Sequence, residues 1–160
     1  MPTLHLLRHA KSSWDDPTLA DHDRPLAPRG LRNAAALAAH LRAGRIVPEL
    51  VICSTAQRAR ETLAAILPAL GGDTEILLES ALYGSSAEEL LARLHAVPES
   101  VGSVMIVAHN PGLEDLALRL AGNEAPERLP TAALVELSTG GSWATLGEST
   151  CRVLSSIVPR

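Results

Sequence analysis

The chain has 160 residues, 46% of them apolar, with no Phe, two Trp and one Tyr. A chain of this length buries about 70% of its unfolded surface, so the composition supports one aliphatic core and a single domain over residues 1–160. Fourteen Lys and Arg against eighteen Asp and Glu leave a formal charge of −4, which excludes bulk attraction to nucleic acid and makes any arginine cluster a focused anion site.

Two cysteines, Cys53 and Cys151, are too few and too far apart for a secreted disulfide framework. Arg8, His9 and Lys11 interrupt the first apolar run, so it does not read as a secretory signal. No apolar stretch approaches the ~18–20 residues that span a bilayer. The expectation is a cytoplasmic protein with no membrane partner.

In chain order, Thr3–Leu7 reads as a strand and Lys11–Arg24 as a polar loop. Leu31, Ala34, Ala35, Ala38 and Leu41 fall on one face at helical spacing, between Pro28 and Gly44. Leu50–Cys53 is a second strand. Ser54-Thr55-Ala56-Gln57 has the pattern of a capping box, opening a helix that turns Ala59, Leu63, Ile66 and Leu70 inward. Ile76–Leu78 is a third strand and Ala87–Leu94 a third helix. Ser103–Ala108 is a buried strand, and Asn110 and Pro111 read as the cap and first position of a helix running to about Ala121. Strand-like runs follow near Ala132–Leu137, Ser142–Leu146 and Cys151–Ile157. The β-α alternation predicts an α/β fold, a three-layer α/β/α sandwich around a mainly parallel sheet.

Ligands of such sheets bind at the carboxyl ends of the parallel strands. The first strand is followed by Arg8 and His9. Ser54 follows the second, with Arg58 in the next helical turn; Glu79 follows the third and His109 the fourth. Two arginines, two histidines and a carboxylate therefore gather at one edge, beside helix N-termini that favour anions. That combination points to a phosphate-type site. Arg24, Ser12 and Asn110 are further candidates to bind substrate there. A cysteine phosphatase built on Cys53 and Arg58 is disfavoured, because only four residues intervene and Cys53 belongs to the apolar strand. A metal hydrolase built on Asp21-His22-Asp23 with His9 or His109 lacks a supporting ligand spacing, so neither metal nor cofactor is expected.

Leu7-Arg8-His9-Ala10 resembles the Arg-His-Gly signature of the histidine phosphatase superfamily, with Ala in place of Gly. The blocks LLRHAKSSWDD, DRPLAPRG (Asp23–Gly30), STAQRARET (Ser54–Thr62) and VAHNPG (Val107–Gly112), in that order, resemble its small SixA-like phosphohistidine phosphatases. The resemblance implies a phosphoglycerate-mutase-like fold and a metal-independent phosphatase. His9 would attack phosphorus and become transiently phosphorylated, while Arg8, Arg58 and His109 hold the equatorial oxygens. The proton donor stays open between Glu79 and Asp23. Arg24 is assigned either to the substrate phosphate or to fixing the loop, and Asp15 stands where many relatives have Asn. The implied partner is a phosphorylated protein carrying phosphohistidine, or a small phosphorylated molecule. A phosphomonoesterase of small molecules and a non-catalytic phospho-ligand binding module are the alternatives.

Overall fold

A computed structural model describes residues 1–159. Six strands form one sheet: β1 (Thr3–Arg8), β2 (Leu50–Ser54), β3 (Glu75–Glu79), β4 (Ser103–Ala108), β5 (Leu134–Thr139) and β6 (Cys151–Ile157). Their order is β3-β2-β4-β1-β5-β6. β1, β2, β3 and β4 run parallel, whereas β5 and β6 add antiparallel to the β1 side.

Four helices cover the sheet: α1 (Pro28–Gly44), α2 (Gln57–Ile66), α3 (Ala87–His95) and α4 (Gly112–Ala121). Strand alternation sorts the side chains between two cores. Leu7, Val51, Cys53, Met105 and Val107 pack against α1 and α2 through Leu37, Leu41, Leu63 and Ile66. Leu4, Leu6, Val104 and Ile106 pack on the other face with Leu90 and Leu94 of α3 and Leu113, Leu116 and Leu120 of α4. Central strands buried on both faces are the reason these runs read as continuously apolar. Among the described residues, no helix is long and apolar enough to cross a membrane.

Four local expectations are corrected. Ser142–Leu146 is not a strand: Trp143–Thr145 form a 3₁₀ turn, because the fully buried Trp143 anchors it and donates its indole N–H to the Val101 carbonyl at 2.7 Å. The inward face of α1 is Gly30, Ala34, Leu37, Ala38 and Leu41, while Leu31 and Ala35 are exposed. Gly30 sits where the helix start presses on the loop after β1, and a Cβ there would collide with the Lys11 carbonyl. Ser54 does not cap α2. It ends β2, and the N-cap position is Ala56; the chain's capping box is Ser86 with Glu89 at α3. Pro111 occupies the N-cap of α4, which starts at Gly112, and the Asn110 side-chain oxygen accepts the Glu114 N–H at 3.3 Å.

Candidate active site

β1 and β4 are neighbours in register, Arg8 opposite Ala108, so the residues that follow them emerge side by side. The His9 and His109 ring centroids are 5.1 Å apart. They share a cleft of about 230 Å³ with Arg8, Lys11, Ser12, Trp14, Arg24, Arg58, Asn110 and Thr131. Seven of the eight candidates read from the sequence are thus brought together, and Glu79 is not.

The His9 ring is held by two bonds that assign its protons. Nδ1 lies 2.7 Å from the Ala10 carbonyl oxygen, which can only accept, so Nδ1 carries the hydrogen. Nε2 then carries the lone pair, which accepts the Arg58 Nε–H at 3.3 Å. Burial, followed by the nearby His109, Arg58 and Arg8, holds the His9 pKa down to about 3. His109 is held at about 4 by burial and then by Arg58. Both rings are therefore neutral near pH 7, as a nitrogen nucleophile and a neutral donor require.

His109 Nε2 lies 2.8 Å from Ser54 Oγ. That oxygen already accepts the Ala56 N–H at 3.2 Å. When the Ser54 hydroxyl donates to Nε2, the proton of the neutral ring stands on Nδ1. Nδ1 of His109 and Nε of Arg8 are both buried and without a protein partner. Buried donors are rarely left unpaired, and an anion in the cleft would satisfy both.

The arginines are positioned by groups that sequence reasoning missed. Asp21, in the 3₁₀ turn Asp21–Asp23, accepts from Arg58 Nη2 at 3.0 Å and from Arg24 Nη1 at 2.9 Å. It also accepts the Tyr83 hydroxyl at 2.6 Å. The Tyr83 hydroxyl, then the two arginines, hold its carboxyl well below the usual range. Its sequence signal was the spacing of three residues to Arg24. Thr62 accepts the Ala10 N–H at 2.9 Å and donates to the Arg58 carbonyl at 2.7 Å, tying the loop after β1 to α2.

Arg24 is committed to the loop. It donates to the Ser13 carbonyl, Asp21 and Ser12 Oγ, and its guanidinium lies 3.2 Å from the Trp14 ring centre. Ser12 lines the cleft as the acceptor of that bond. Arg8 Nη1 and Asn110 Nδ2 both donate to the Leu129 carbonyl, at 3.0 and 2.9 Å, so Asn110 braces Arg8.

Glu79 forms a two-point pair with Arg93 of α3, at 2.7 and 2.9 Å. Asp23 lies 3.5 Å from His22 and is largely exposed. The Asp21 carboxylate is taken up by Arg24, Arg58 and Tyr83 and His22 Nε2 faces Thr55 Oγ1 at 3.0 Å, so the triplet does not converge on one metal position. Burial pushes the Cys53 thiol up to about 12, which removes it as a nucleophile.

The model of the histidine phosphatase superfamily (branch 1) matches residues 4–87, just over half of the chain. An uncharacterized protein of Mycobacterium tuberculosis is 36% identical over 163 residues, covering 96% of this chain and all of its own length. The chain belongs to the histidine phosphatase superfamily.

Two solved superfamily structures described as candidate SixA phosphohistidine phosphatases are similar throughout. The one from Nakamurella multipartitia has 32% identity and a TM-score of 0.85, covering 99% of this chain and 96% of that one. The one from Agrobacterium tumefaciens has 30% identity and a TM-score of 0.87, covering 99% of each chain. The fold is phosphoglycerate-mutase-like and the structure SixA-like.

Proposed function

We propose that this histidine phosphatase hydrolyses protein phosphohistidine through a phosphorylated His9. The observation that carries the reading is the His9 tautomer, with Nδ1–H on the Ala10 carbonyl and the lone pair of the unprotonated Nε2 accepting from Arg58 inside the cleft. In the first step that lone pair attacks phosphorus, the Nε2–P bond forms and the bond to the leaving group breaks. Arg58 exchanges Nε2 for an equatorial oxygen, and Arg8 Nε and His109 Nδ1 supply further donors as charge develops. In the second step water attacks phosphorus, the Nε2–P bond breaks, and inorganic phosphate leaves with His9 restored. Preorganised cations carry this transfer with no step through a metal ion.

Glu79 is engaged by Arg93, and Asp21 is held ionised by its donors. An alkoxide leaving group needs a strong acid, whereas a phosphohistidine protonated on its second ring nitrogen departs as neutral imidazole. That contrast supports phosphohistidine over a small phosphoester.

The test traps the intermediate on a phosphohistidine protein and on a panel of small phosphoesters. The expected adduct is acid-labile and alkali-stable, is absent in His9→Ala, and is consumed fastest with the protein donor. An acid-stable adduct would move the nucleophile to Ser or Thr, and faster turnover of the small esters would reassign the substrate.

A further inference from the structure

Beside the catalytic cleft lies a separate groove of about 590 Å³, walled by Arg29, Arg32, Asn33, Pro130, Thr131, Val158 and Pro159. Its size falls within the ~300–1,000 Å³ typical of ligand sites. Thr131 lines both the groove and the cleft, so the two meet at one residue. Arg29 and Arg32 stand three apart on α1 and therefore share a face. Both are exposed, and neither has an acidic partner among residues 1–159. Among residues 1–159, no carboxylate lines the groove. On a chain with four more acidic than basic residues, two arginines with no acidic partner among residues 1–159, in a groove that shares Thr131 with the cleft, are a local reversal of sign.

The partition between groove and cleft is rigidly tied to the nucleophile. The Ala132 N–H donates to the Arg8 carbonyl at 3.1 Å and to the His9 carbonyl at 3.0 Å, and the Ala133 N–H donates to Pro130 at 3.0 Å. The preceding Leu129 carbonyl is held by Arg8 and Asn110. Whatever fills the groove is therefore set in fixed register with the phosphoryl group on the other side of Thr131.

We infer that this groove docks an acidic stretch of the phosphoprotein substrate, a few residues away from the phosphorylated histidine. The inference rests on the phosphohistidine reading above. Arg29 and Arg32 recognise the carboxylates, and Pro130, Val158 and Pro159 give the segment an apolar wall. The arginines raise affinity and encounter rate and take no part in the chemistry. Being exposed, they act most strongly at low salt.

The test is binding, which does not require turnover. Two peptides carry a hydrolysis-resistant phosphonate analogue of phosphohistidine, one flanked on both sides by Asp and Glu and the other by Ser and Gly. The acidic peptide is expected to bind about tenfold tighter at low salt, an advantage that shrinks at high salt. In Arg29→Glu/Arg32→Glu that advantage falls below about twofold, while kcat/KM on an aryl phosphate stays within about twofold of the parent and certifies the fold. Arg29→Gln/Arg32→Gln should fall between the two. Equal affinities, a preference that survives the double substitution, or no binding of either peptide would overturn the inference. If the preference holds while phosphohistidine protein is not dephosphorylated, the groove stands and the substrate reading falls.

Discussion

At the end of β1, Arg8 and His9 enter a crevice with neighbours on both sides: His109 after β4 on one, the Leu129–Ala132 segment before β5 on the other. At the end of β3, Glu79 stands on an edge strand and turns its carboxylate to Arg93. Three strand spacings of about 4.8 Å separate β3 from β1, so the two backbones are about 14 Å apart. A charged residue after a strand therefore becomes part of the site only where the strand order puts it at the centre. The β3 segment still contributes, four residues later, through Tyr83. Its hydroxyl bonds Asp21, and its ring centre lies 5.6 Å from that of His109.

The sharpest way to break this contrast is to remove a donor at the central end. Arg58 faces His9 Nε2 directly and is buried. Arg58→Ala should lower kcat/KM by about 10²–10³-fold, equivalent to about 3 kcal/mol of transition-state stabilisation, by comparison with loss of one oxyanion donor. Steady-state kinetics on an aryl phosphate would read it, and unchanged constants would remove Arg58 from the phosphate site.

Much of this was legible in the sequence. The order β-α-β-α-β-α-β-α comes from apolar runs separated by helical periodicity, and all four parallel strands lie within a residue or two of their expected positions. His9 and His109 directly follow central strands and Arg58 lies in the first turn of the helix after another, so their convergence on one cleft was legible. What failed depended on side-chain direction and strand order. Spacing alone could not say that Glu79 would meet Arg93, fourteen residues on, nor that Asp21 would join Arg24, Arg58 and Tyr83 from a loop. Ser54 had the right residue type for a cap, but its hydroxyl is used between Ala56 and His109. Trp143 made a strand-like run out of a turn because one buried aromatic outweighs its polar neighbours.

A second way to sharpen the contrast is pH, because the central end buries neutral imidazoles and the β3 end keeps an ion pair. The folded pKa values of His9 and His109, about 3 and about 4, lie below the ordinary value of 6.5. As pH falls through 6.5, the unfolded chain takes up protons that the folded chain does not. Stability is then lost progressively, down to about pH 4 for His109 and about pH 3 for His9, by an amount on the order of a few kcal/mol. Asp21 acts in a lower window that overlaps only the acid end of the first: its depressed pKa means that its contribution is lost only as pH falls below its ordinary value of 3.8. Denaturant midpoints between pH 7.5 and pH 4 should show the decline, and His9→Gln should flatten it. Equal slopes in the two proteins would mean that the His9 imidazole is not a source of the decline.

The smallest expected effect is at Glu79, and it is the one that separates position in the sheet from position in the sequence. Glu79→Gln removes the charge but keeps the side-chain length beside Arg93. The pair is about one-quarter exposed on each side, so its loss should cost no more than about 1 kcal/mol of stability. Turnover of an aryl phosphate should stay within about threefold of the parent, because removing a working general acid would cost about 10²–10⁴-fold. A phosphoester panel graded by leaving-group pKa is the stricter measurement. If Glu79 supplied the proton, the substitution would steepen the dependence on leaving-group pKa and slow alkyl esters far more than aryl ones. A parallel drop across the panel would mean loss of folded protein, and an unchanged slope would leave the departing group to carry its own proton.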